Sequence, residues 1–64
     1  MSKIRRGGYL FISWIGDHDP RHVHIYKDGK LVAKWDLDGW RSMQGGATAR
    51  VIRLLLELRK EGLL

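Results

Sequence analysis

His22-Val23-His24-Ile25-Tyr26-Lys27-Asp28-Gly29-Lys30-Leu31-Val32-Ala33-Lys34-Trp35-Asp36 reads as a β-hairpin. Two runs rich in β-branched and aromatic residues, 21–26 and 31–36, flank a turn-forming segment. Side chains alternate between faces along a strand, so His22, His24 and Tyr26 share one face and Val23 and Ile25 the other. Turn length then sets the register. A two-residue Asp28-Gly29 loop would put Lys34 on the apolar face. A three-residue loop, Lys27-Asp28-Gly29 with Gly29 left-handed in a bulge, sets Ile25 opposite Leu31 and Val23 opposite Ala33. A one-residue slip moves every side chain to the wrong face, so the hydrophobic pattern selects the longer loop. The expected faces are Val23, Ile25, Leu31, Ala33 and Trp35 on one side, and His22, His24, Tyr26, Val32, Lys34 and Asp36 on the other.

On the N-terminal side, 16–20 is a turn and 9–15 a strand. The latter is apolar on both faces apart from Ser13, which asks for cover on both sides. Residues 1–7 read as a basic, mobile tail holding Lys3, Arg5 and Arg6. On the C-terminal side, 37–46 is a connection broken by Asp38, Gly39 and Gly45-Gly46. From 47 to 61 the period becomes helical, with Val51, Ile52, Leu55 and Leu58 central to an apolar arc and Leu54 and Leu56 at its edges. That arc spans roughly 200°, twice what a surface helix needs. Gly62 is the stop. The expected fold is a single α+β domain over 1–64, a three-stranded antiparallel meander with one C-terminal helix packed on one face.

A chain of 64 residues with no cysteine has neither a disulfide framework nor a thiolate zinc site. Its broad apolar surfaces therefore call for a second copy or a cognate partner protein. No stretch approaches the roughly 20 apolar residues of a membrane span, and no signal-peptide core follows the basic start. A cytoplasmic protein is the expectation. The net charge of +5 and pI near 10.1 suit an acidic partner, nucleic acid or protein.

Residues Gly8-Tyr9, His18-Asp19-Pro20-Arg21-His22-Val23-His24 and Ala33-Lys34-Trp35 carry a resemblance. The chain resembles the small bacterial domain-of-unknown-function family numbered forty-one-sixty. Its members show a Gly-Tyr strand, a His-x-Pro-Pro-His-Val-His turn and strand, an Ala-Lys strand and a terminal helix. Arg21 stands where the motif has its second proline, and the helix stops earlier than in typical members. The resemblance implies a bacterial protein encoded beside a partner in a toxin–antitoxin-like pair. It implies no reaction.

Three readings of the histidines stand side by side. In one, the histidine face is a polar docking surface of a non-catalytic interaction module. In another, it binds or cleaves RNA without a metal. His22 and His24 then supply acid–base chemistry near neutrality, Arg21, Lys34, Lys3, Arg5 and Arg6 meet phosphate, and Tyr26 stacks on a base. In the third, His18, His22 and His24 bind zinc with help from Asp17 or Asp19. Trp14, Trp35 and Trp40 read as core residues. The reading taken forward is a toxin–antitoxin-like component that binds a partner protein and RNA, with His22 and His24 as the candidate catalytic pair.

Overall fold

The computed structural model describes residues 2–14 and 21–64. The 16–20 turn, the end of the first expected strand, His18 and its flanking aspartates lie outside the described residues. Five strands and one helix follow in order: β1 (Ser2–Arg6), β2 (Tyr9–Ser13), β3 (His22–Lys27), β4 (Lys30–Asp36), β5 (Arg41–Gly45) and α1 (Ala49–Lys60). The strands form one antiparallel sheet in the order β1-β2-β3-β4-β5. The α+β class and the C-terminal helix agree with expectation. The strand number does not, since there are five strands rather than three. The residues read as a basic tail form β1, and the 37–46 connection contains β5.

Both added strands are short sheet edges. β1 turns back through Gly7-Gly8 to pair with β2, with Ile4 opposite Phe11. β5 is brought beside β4 by a turn built on Asp36. Its buried carboxylate accepts the backbone N–H groups of Asp38 and Gly39 at 2.9 and 2.8 Å. Trp40 ends that turn with φ 53°, a left-handed conformation that costs a bulky residue about 1–3 kcal/mol. Edge-on contact with Trp35 (centroids 5.4 Å apart) and the Arg59 guanidinium 5.0 Å from its ring hold it there.

The central hairpin corrects the expected register. The loop is the two-residue Asp28-Gly29 turn, with φ 52° and 76°, flanked by the pair Lys27 and Lys30. Positive φ at both central positions is the type I′ hairpin turn, which matches strand twist. The extra residue needed to align the apolar side chains enters further on. Tyr26 pairs with Leu31 and Ile25 with Ala33, so β4 bulges at Val32. Val23 then faces Trp35. The core face keeps Val23, Ile25, Ala33 and Trp35, whereas Leu31 crosses to the other face and is exposed. The bulge also dictates Gly45. A Cβ there would sit 2.3 Å from the Val32 carbonyl oxygen, at φ 76°.

α1 lies across the face formed by Phe11, Val23, Ile25, Ala33 and Trp35, burying Val51, Leu54, Leu55 and Leu58. Thr48 caps it by accepting the Val51 N–H at 3.3 Å. Beyond Gly62, the Leu63 N–H returns to the Leu58 carbonyl at 2.9 Å. The expected arc left Leu54 and Leu56 for a partner. Leu54 is instead buried within the chain against Gly7, where a Cβ would come 2.8 Å from its Cδ1. The added β1–β2 hairpin covers one edge of the arc, and only Leu56 stays exposed.

This packing separates neighbouring leucines. Leu55→Ala is expected to cost about 2–5 kcal/mol, and Leu56→Ala no more than about 0.5 kcal/mol, in urea unfolding of the two variants. Equal losses would mean that the helix presents a different face.

Candidate functional site

One helix covers one face of the sheet. On the other face the strand registers set side chains in rows. Lys3 pairs with Ile12, Ile12 with His24, His24 with Lys34, and Lys34 with Gln44. Beside it run Arg5, Leu10, Tyr26 and Leu31, each opposite the next. On the other side His22 pairs with Asp36, and Asp36 with Arg41. Adjacent strands lie about 4.8 Å apart, so each row places its groups within reach of one extended ligand.

The centre of the face is aromatic. The His22 and His24 rings are half-buried, with centroids 5.3 Å apart and planes tilted by 53°. Trp14 meets His24 edge-on, with centroids 4.6 Å apart. Ile12, on this face, is buried, whereas α1 packs on the opposite face. At the Tyr26 end an open cleft of about 460 Å³ lies between the β1–β2 and β3–β4 turns, lined by Arg5, Leu10, Ile12, Tyr26, Asp28 and others.

The sequence candidates divide between the two faces. His22, His24, Tyr26, Lys34, Lys3 and Arg5 share the uncovered face. Arg6 does not. It sits on the helix side and grips Glu61, one guanidinium nitrogen bonding Oε2 and Nη2 reaching Oε1 at 2.8 Å. Arg21 is engaged with Asp38. Its N–H donates to Oδ2 at 2.9 Å and its Nε lies 3.5 Å from Oδ1. Among the described residues no three His, Cys, Asp or Glu side chains group as metal ligands, and His18 lies outside them. Trp35 is core as expected, but Trp14 is 38 % exposed on the histidine face. Residue type alone assigned Trp14 to the interior. Its two-residue spacing from Ile12, with Ile12 opposite His24, is the signal that places it outside.

Protein-family models, curated proteins and solved structures give no match to this chain. No helix among the described residues is long and apolar enough to cross a membrane.

The Arg6–Glu61 pair gives a pH signature that ties β1 to the helix end. The hydrogen bond to Arg6, with its charge, holds the Glu61 carboxyl below its ordinary range, and Glu61 in turn raises Arg6. A carboxyl lowered by folding contributes stability above its unfolded pKa and loses it as pH falls through the folded one. Unfolding followed from neutral pH into the carboxylate range should cost wild type more stability than Glu61→Gln, with the two curves converging at the acid end. Parallel curves would show the pair to be absent in solution.

Proposed function

We propose that this protein binds single-stranded RNA across its uncovered sheet face, as one member of a bacterial toxin–antitoxin-like pair that also engages a partner protein. The observation that carries the reading is the alignment of cations and flat rings in adjacent rows. Lys3, Ile12, His24 and Lys34 follow one another in one row, and Arg5, Leu10 and Tyr26 in the next. Cations track a phosphate backbone, and exposed rings stack on unpaired bases. The net charge of +5 favours the encounter. The resemblance to family forty-one-sixty supplies the toxin–antitoxin setting and the partner.

The histidine pair gives this surface a chemistry. With ring centroids 5.3 Å apart, one imidazole removes the proton of a ribose 2′-hydroxyl as its oxygen attacks the adjacent phosphorus. The other protonates the departing 5′-oxygen. The phosphodiester P–O bond breaks, leaving a 2′,3′-cyclic phosphate and a free 5′-hydroxyl, with one proton taken up and one returned. Lys34, directly across from His24, faces the charge that develops on phosphate.

A second reading is favoured by exposed Trp14 and Leu31, at 38 % and 40 %, on the same face. There the face docks a partner protein and performs no chemistry. Salt separates the two. With three phosphate contacts, log affinity for a labelled single-stranded RNA should fall with log salt at a slope of about −2, and Lys34→Ala should flatten the slope by about 0.7. His22→Ala or His24→Ala should slow cleavage about a hundredfold or more. Absence of RNA binding at low salt would exclude the first reading. Binding without cleavage would remove the chemistry and leave an RNA-binding module.

A further inference from the structure

The cleft beside Tyr26 has a composition that phosphate binding does not require. Leu10, Ile12 and Tyr26 line it. A cation and a carboxylate, Arg5 and Asp28, also line it. Arg5 sits opposite Leu10, and Leu10 opposite Tyr26, so Arg5 is two strand spacings, about 10 Å, from the Tyr26 backbone. Asp28 belongs to the turn that follows Tyr26. An acidic group is unfavourable beside a phosphate chain, yet this one borders the basic face. A base of the right donor pattern would turn that cost into a contact.

Only one common base presents two adjacent acceptors on one edge and two adjacent donors on another. Guanine offers O6 and N7 to an arginine fork, and its N1–H and N2–H to a carboxylate. Adenine and cytosine offer a carboxylate only one amino group, and uracil only one ring N–H. The cleft volume of about 460 Å³ is within the range of small-molecule sites and admits a purine.

We infer that the Arg5–Tyr26–Asp28 cleft is a guanine subsite, in which an unstacked guanine of the bound strand lies on Tyr26 with its two polar edges toward Arg5 and Asp28. The inference rests on the RNA-binding reading and adds a base preference to it. The subsite adjoins the row of His24, because Tyr26 is two residues further along the same face of β3. A guanine seated there therefore sets which neighbouring phosphate reaches the histidines.

Asp28 also has a plain role in the type I′ turn, with φ 52°. Asparagine fills that role at least as well, since Asn-Gly is a preferred type I′ pair. Asp28→Asn therefore keeps the hairpin and removes only the paired acceptor. The experiment compares short oligouridine strands, unmodified or carrying one central guanosine, inosine or adenosine, by fluorescence anisotropy at fixed salt. Wild type should bind the guanosine strand at least about tenfold more tightly than the all-uridine and adenosine strands. Inosine, which lacks the N2 amino group, should lose most of that gain. In Asp28→Asn the distinction between guanosine and inosine should vanish, with circular dichroism confirming the fold. Equal binding of all strands by wild type would overturn the subsite while leaving RNA binding intact. So would a guanosine preference that survives Asp28→Asn. Binding of no strand would overturn both.

Discussion

One amphipathic helix cannot cover both faces of a five-stranded sheet. Four strand spacings make the sheet about 19 Å wide, and the 12 residues of α1 make a rod about 18 Å long. That rod satisfies Phe11, Val23, Ile25, Ala33 and Trp35 and leaves the opposite face to other solutions. The protein closes that face partly with its own rings, Trp14 lying against His24 and Ile12 buried below. Among the described residues, α1 covers only the face opposite the histidines.

The limit also explains the edges. An unpaired sheet edge is a template for aggregation, and charged side chains blunt it. β1 carries Lys3 and Arg5 on the uncovered face and Arg6 beneath, locked to Glu61. The charges that blunt this edge are the same ones that the proposed RNA-binding reading assigns to phosphate. β5 is exposed along its whole length and ends in a glycine fixed by the Val32 bulge.

The hairpin and the helix were legible because their patterns are strong. Val23 and Ile25 alternate with polar residues, and Val51, Leu55 and Leu58 recur at helical spacing. Val23, Ile25, Ala33 and Trp35 were legible as core, but Leu31, expected beside them, is exposed, and Val32, expected on the histidine face, packs against the core. Alternation fixes which side chains must meet, but not whether the extra residue enters at the turn or at a bulge beyond it. The edge strands were hidden because Ser2–Arg6 has one apolar side chain between charges, and Arg41–Gly45 buries nothing. For β1 a signal existed in Gly7-Gly8, a two-residue hairpin turn between extended runs. For β5 it was weaker, resting on the Asp36-x-Asp38-Gly39 turn. Missing β1 had a consequence for the partner argument, since that hairpin covers Leu54. The candidate site was legible in part. The alternation of His22, His24 and Tyr26 was visible, but Arg6 is told from Lys3 and Arg5 by its side of β1 and its contact with Glu61, and Arg21 by its contacts with Asp38.

The central claim is that the uncovered face, and not the basic outer side of the helix, meets RNA. Both carry cations, Lys3, Arg5 and Lys34 on the sheet against Arg50, Arg53 and Lys60 on the helix. Amide and side-chain chemical shifts recorded during titration with a short single-stranded RNA test this most directly. The account predicts that the perturbed resonances cluster on Lys3, Leu10, Ile12, His24, Tyr26 and Lys34 and spare the exposed side of α1. Perturbation centred on Arg50, Arg53 and Lys60, with the sheet face unchanged, would contradict it.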